Sequence, residues 1–214
     1  MQYLMCLYYI YQTLEAQLAA HSSHPALCHV YNPSILSRSE KLGQDVCYFL
    51  DLPPGSNWQN EKQLYQNFGT STKLALKAYM RRLNALGSPP LDVTHSIPYL
   101  YAPPACDPSL LLAHAYVRYL GDLSGGQIIK KCIAASYSLP LDSLDGQRYY
   151  HFGEESSIAE IKAFKKAFRN GMDTAGFQMN SAIRGKDFSR IFTSTYDIAM
   201  LQRQCCRKQI TLLN

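Results

Sequence analysis

Residues 118–131 read R-Y-L-G-D-L-S-G-G-Q-I-I-K-K, which places Gly121, Gly125 and Gly126 inside sequence that is helical on both sides. A glycine in a helix interior costs about 0.8–1.0 kcal/mol relative to alanine, so a cluster of three strongly constrains what the segment can be. They supply a bare backbone that bends easily and that a flat ligand can approach without meeting a Cβ. Upstream, Asp107-Pro108 offers an N-cap followed by proline at the first helical position. From there the helix is expected to run through Leu111, Leu112, Ala115, Tyr119, Ile128, Ile129 and Ile133, spanning roughly 40 Å at a rise of about 1.5 Å per residue. A polar, glycine-kinked centre in so long a helix marks a candidate site.

Other readings of the same residues are open. Leu123-Ser124-Gly125-Gly126-Gln127 spells the signature of ABC-type ATPases, but the G-x-x-x-x-G-K-[ST] loop that would hold the phosphates occurs nowhere in the chain. Gly121 and Gly125 also form a G-x-x-x-G, the spacing that packs membrane helices, yet Arg118, Asp122, Lys130 and Lys131 interrupt any apolar span of the required length. A glycine-rich contact between two soluble helices remains the plain alternative.

The remaining chain reads as helices joined by loops, with period-2 alternation nowhere sustained, so the fold class is all-α. A first helix over residues 2–20 puts Leu4, Leu7, Tyr8, Tyr11, Leu14 and Leu18 on one face. Asn32-Pro33 opens a second, through Ile35, Leu36, Leu42, Val46 and Phe49, ending before Pro53-Pro54-Gly55. One short helix is expected near Trp58, and a clearer one from Thr70 or Ser71 to Gly87. Residues 88–108 hold six of the eleven prolines and read as an inserted loop. Pro140 to Gly153 form another loop, Ser157-x-x-Glu160 is a capping box opening a basic helix, and a last helix covers about Lys186 to Arg207.

At 214 residues with 47% hydrophobic and 17% charged side chains, one globular domain is expected. The net charge of +5 comes from basic residues interleaved along helices, which favours an anionic small molecule or an acidic partner over nucleic acid. Seven cysteines without a C-x-x-C suggest neither a zinc site nor a disulfide framework, but reduced thiols in the cytoplasm. No lysine or arginine precedes Arg38, so a signal peptide's positive region is missing, and the T-L-L-N end has no hydrophobic tail.

The fuller string A-H-A-Y-V-R-Y-L-G-D-L-S-G-G-Q-I-I-K-K, from Ala113 to Lys131, closely resembles the distal-helix motif of haem oxygenases. L-Y-Y-I-Y-Q-T-L-E at Leu7–Glu15 is similar to that family's second major helix, V-Y-N-P-S-I-L-S-R at Val30–Arg38 to the segment after it, and F-K-K-A-F-R at Phe164–Arg169 to its late basic helix. The resemblance implies a wholly helical bundle in which haem lies between a proximal helix bearing an axial histidine and this kinked distal helix. It implies oxidative cleavage of haem, at once substrate and cofactor, to biliverdin, carbon monoxide and ferrous iron. O2 would be consumed, with electrons drawn from NADPH through a flavoprotein reductase. The expected partners are that reductase, which would bring a monomeric protein to the membrane surface, and a biliverdin-handling enzyme.

The resemblance also assigns residues. Gly121 and Gly125, four apart on one helical face, would be the distal contacts that crowd oxygen toward one ring edge, with Gly126 assisting the kink. Asp122 would anchor a proton-delivering water network, joined by Tyr11 and Arg118, with Tyr116 a weaker candidate to contact the haem. Lys165 and Arg169, at i and i+4, would hold the haem propionates, the arginine able to do so through two parallel hydrogen bonds. Without the resemblance these would read as a solvated basic face, Asp122 as a helix-surface charge and Tyr11 as a core tyrosine. His114 matches a family histidine that is not axial. The axial histidine itself has no counterpart, because its helix would precede Met1 and the first histidine is His21. With the uncapped amphipathic start at Met1-Gln2-Tyr3-Leu4, this leads us to expect an N-terminally incomplete domain over residues 1–214. The other reading is true loss of the ligand, which would leave a non-enzymatic haem-binding or sensing protein.

Overall fold

The computed structural model describes residues 2–60, 68–87, 107–139, 143–152 and 158–178. Among these residues every regular element is helical: α1 (Gln2–Ala20), α2 (Pro33–Leu36), α3 (Ser39–Phe49), α4 (Thr70–Gly87), α5 (Leu111–Gly121), α6 (Gln127–Ser136) and α7 (Ile158–Gln178). Short 3₁₀ turns occur at Trp58–Asn60, Pro108–Leu110 and Arg148–Tyr150. The expected last helix from Lys186, the capping serine Ser157 and almost all of the proline-rich 88–108 segment lie outside the described residues.

Helix α1 is the centre of the molecule. Buried residues occur all around it, including Leu4, Met5, Leu7, Ile10, Tyr11, Leu14 and Leu18. That is more than one amphipathic stripe, and a helix apolar on several sides must be enclosed on several sides. It packs against α3, α4 and α5. Its partners supply Leu42 and Val46 from α3, Leu76, Tyr79 and Leu83 from α4, and Leu111, Ala115 and Tyr119 from α5. Each fully buried leucine in this set contributes about 1.5–3 kcal/mol relative to exposure.

The structure corrects one element boundary. The single helix expected from Asn32 to before Pro53 is broken at Ser37-Arg38, where Ser37 is extended at φ −57°, ψ 122°. Two side chains make the break stable. Arg38 turns its guanidinium back onto the last carbonyls of α2, donating to Ile35 O at 2.6 Å and Leu36 O at 3.0 Å. Glu15 of α1 accepts from the backbone N–H groups of Arg38 at 2.5 Å and Ser39 at 3.3 Å, and from the Ser39 hydroxyl. Orphan N–H groups at the start of α3 are thereby met by a carboxylate, the sign the helix dipole favours.

Arg38, with Lys41 and Asp45 of α3, also fixes residues 143–152 against α3. Arg38 Nη1 donates to Tyr149 O at 3.2 Å and His151 O at 2.6 Å, and Lys41 Nζ to His151 O at 2.8 Å. Asp45 accepts from Arg148 N at 2.9 Å and Tyr149 N at 2.8 Å. Gly146, at φ +71°, turns the chain where a Cβ would meet the Tyr48 and Phe49 rings at 3.0 and 3.1 Å. The segment therefore arrives under the glycine helix with Tyr149 and Tyr150 buried.

Candidate functional site

The long glycine helix begins as its sequence requires. Asp107 caps it, its carboxylate accepting from Ser109 N at 3.0 Å, with Pro108 in the first turn. The expected kink takes a specific form: residues Asp122–Gly126 make a π-helical turn between α5 and α6. Such wide turns are rare, and they occur frequently at functional sites. Gly121 and Gly126 keep ordinary helical torsions, φ −60° and −56°. Their value here is the missing Cβ, with no left-handed backbone required.

The glycines face different surroundings. Among the described residues, a Cβ built on Gly121 or Gly125 would meet no atom beyond its own helical backbone within 4 Å, and both residues are exposed. Gly126 is buried, and a Cβ there would stand 3.4 Å from the Tyr150 ring. Ser124, Ile128 and Ile129 continue the exposed side, with Ile128 68% and Ile129 43% accessible. Helix α6 buries none of its residues among the described parts of the chain. The result is a strip of naked backbone with apolar flanks, open to the approach of a flat hydrophobic body.

Just inside that strip lies a buried polar cluster drawn from three elements. The Tyr11 hydroxyl of α1 donates to Asp122 Oδ2. Arg118, one turn before Asp122 and 4% exposed, holds its guanidinium 5.7 Å from the centre of the Tyr11 ring. Asp122 is only partly buried as a residue, but its carboxyl is turned inward, and desolvation raises its pKa against the lowering influence of Arg118, Tyr11 and Tyr149. Burial likewise pushes the Tyr11 phenol well up, with Asp122 adding to it. Burial alone would lower the Arg118 guanidinium, but the tyrosines and Asp122 around it raise it on balance, so it stays a fixed positive charge.

The other named residues are placed as follows. Tyr116 is 43% exposed on α5. Lys165 and Arg169 share a face of α7, the lysine partly buried and the arginine exposed. His114 is fully buried, with Nδ1 2.9 Å from the Tyr79 hydroxyl, and burial pushes its pKa down to about 3. It is committed to the α4–α5 contact and is not turned to the open strip. Tyr149, Arg38 and Asp45 were not singled out from the sequence for any role at the site. Arg38 closes the quoted Val30–Arg38 string, but nothing in a one-dimensional pattern separates a buried guanidinium from a solvated one.

An all-α protein built around a glycine helix with a π turn, one face bare and the other backed by an Asp–Tyr–Arg cluster, is the class this geometry defines. The "Heme oxygenase" family model matches residues 1–102 and 88–184. The chain belongs to the haem oxygenase family. It is 34% identical over 166 residues to haem oxygenase 1 of Nostoc sp., covering 78% of this chain and 55% of that protein. It is 32% identical over 167 residues to haem oxygenase 2 of Oryctolagus cuniculus, covering 78% and 44% respectively. The chain thus spans about half the length of the curated relatives it matches. Among solved structures, haem oxygenase-2 from Synechocystis sp. PCC 6803 in complex with haem and NO superposes with a TM-score of 0.69 at 28% identity, covering 94% of this chain and 67% of that one. Haem oxygenase 2 from Chlamydomonas reinhardtii without haem gives 0.65 at 26% identity, covering 93% and 79%.

Proposed function

We propose that this chain acts in oxygen-dependent degradation of haem, opening the ring to biliverdin with release of carbon monoxide and ferrous iron. Electrons would come from NADPH through a flavoprotein reductase. The observation that supports it most is the open Gly121/Gly125 face lying directly against the Tyr11–Asp122–Arg118 cluster. When bound, haem supplies both the iron that activates O2 and the ring that is oxidised.

The residues of the chain fit the ligand on two counts. Bare backbone at Gly121 and Gly125 lets a planar ring come closer than any residue with a Cβ would permit, and Ile128 and Ile129 extend the contact as apolar surface. Lys165 and Arg169 offer two positive charges on one helix face for the ring's two propionates, Arg169 able to grip one through paired hydrogen bonds. Gly126 and Tyr116 complete the set of ligand-side residues, the first by letting the π turn close on Tyr150. His114, held by Tyr79, is not turned to the ligand side.

Within that arrangement Asp122 governs protons. Its carboxyl accepts from Tyr11 and stands beside the permanent charge of Arg118, so it can orient donors at the open face while remaining acceptor-capable. Incubating the longest natural form of the protein with haem, reductase and O2 should consume the Soret band and yield bilin. Intact haem after many reductase turnovers would reject the reading. Stable haem binding with no turnover would instead favour a haem-binding or sensing protein.

A further inference from the structure

Tyr149 is the phenol of this cluster to which the proposed chemistry assigns no task. It is 1% exposed, and its ring meets that of Tyr11 edge-on, with centroids 5.8 Å apart and planes at 64°. Its hydroxyl is buried and completes no hydrogen bond among the described residues. It nevertheless stands close enough to Asp122 for each to influence the other. The phenol helps to lower the carboxyl, and after burial the carboxylate is the largest influence raising the phenol. Most buried hydroxyls are hydrogen-bonded, so one without a completed bond in a cluster that holds an acid asks for an explanation.

Loose packing does not explain it, because the backbone on either side of the ring is clamped. Asp45 takes the Tyr149 N–H at 2.8 Å, and Arg38 donates to the Tyr149 carbonyl at 3.2 Å. Both clamping side chains are 0% exposed. Burying polar groups is unfavourable unless their bonding capacity is used, and here a buried guanidinium and a buried carboxyl both bond the backbone of one tyrosine.

We propose that Tyr149 is a positioning residue: its hydroxyl addresses the Asp122 carboxyl as a second phenol beside Tyr11, and the Asp45–Arg38 clamp sets its place. Its effect on turnover rests on the haem-degrading reading above; the coupling to Asp122 does not. Among the described residues, the groups that face Asp122 include Arg118 and Tyr119 from α5, Tyr11 from α1, Tyr149 from the 143–152 segment and Arg38 at the start of α3. Removing one of the two phenols should weaken the hold on the ionised carboxyl.

Carboxyl ¹³C NMR of the haem-free protein, with the Asp122 resonance assigned through Asp122→Asn, reads the ionisation midpoint of this one group. Tyr149→Phe keeps the ring and removes the hydroxyl, and should raise that midpoint by roughly half a pH unit or more, the effect of one modest hydrogen bond. Incorporating 3-fluorotyrosine at position 149, a stronger donor of the same shape, should lower it, and serves equally if the phenylalanine variant folds poorly. An Asp122 midpoint that moves in neither protein overturns the proposal, whatever happens to melting temperature or haem turnover. A midpoint that moves as expected in a protein that forms no bilin upholds the coupling and rejects the haem-degrading reading alone.

Discussion

An alanine at Gly121 or Gly125 should fold without obstruction, since a Cβ at either position meets no neighbour within 4 Å among the described residues. Removing glycine from a helix interior should stabilise the haem-free protein by about 0.5–1 kcal/mol. The same methyl group would stand where the ligand is proposed to lie, so haem affinity and bilin formation should fall. Thermal melts paired with haem titrations check both signs at once; a stabilised variant with unchanged haem affinity would move the ligand away from this face. Asp122 separates chemistry from folding in a similar way. Asp122→Asn keeps the size of the side chain and an acceptor for the Tyr11 hydroxyl, so it should leave the fold intact. With haem and reductase it should lower the bilin formed per electron consumed, measured as bilin yield against NADPH oxidation. Unchanged yield would remove Asp122 from proton delivery.

The Ser37-Arg38 break is the element on which the rear wall of the site depends. Arg38 donates to four backbone carbonyls, those of Ile35, Leu36, Tyr149 and His151, and lies 4.0 Å over the Phe152 ring. Arg38→Met should destabilise the protein by roughly 3 kcal/mol or more, because several buried carbonyls lose their donor. Lysine should not rescue it, having no planar fork to reach both chain segments. Denaturant unfolding measures this, and a loss under about 1 kcal/mol would show that the carbonyls find other partners. The break also shows what periodicity misses. Helices α1, α4 and the start of the glycine helix were legible from apolar spacing, the Asp107-Pro108 cap and the Gly87 stop. Helices α2 and α3 read as one, because Ile35, Leu36, Leu42 and Val46 stay in phase across a break made by long-range side chains. The π turn was foreshadowed as a glycine kink, but its wider hydrogen-bond ring carries no sequence signature of its own. Tyr11, Arg118 and Asp122 were reachable only through family resemblance, since Tyr11 and Asp122 lie 111 positions apart.

Across the whole molecule, acid sensitivity should carry the signature of His114. Its folded pKa is about 3 against an ordinary value of 6.5, so the native state favours the neutral ring. The stability this contributes is complete above pH 6.5 and is lost as pH falls from there toward 3, where the unfolded chain binds the extra proton. Asp45 acts in the opposite sense, because burial pushes its carboxyl up to about 7 despite two backbone N–H bonds. Its contribution is complete below its ordinary value and is lost as pH rises through 7. The difference between wild type and His114→Gln isolates the histidine: it should grow with pH between 3 and 6.5 and then level off, by up to a few kcal/mol. A flat difference would mean that His114 is solvated in the folded protein.

No helix among the described residues is long and apolar enough to cross a membrane. The proposal that remains to be tested on the whole protein is that haem bound on the Gly121/Gly125 face is degraded there. The most direct measurement is single-turnover and steady-state spectroscopy of the longest natural form with haem, O2, NADPH and a flavoprotein reductase. The Soret band should decay with growth of bilin absorbance and release of carbon monoxide, all suppressed by Gly125→Leu. A Soret band that persists through sustained NADPH consumption, or bilin formation indifferent to a leucine at position 125, would contradict it.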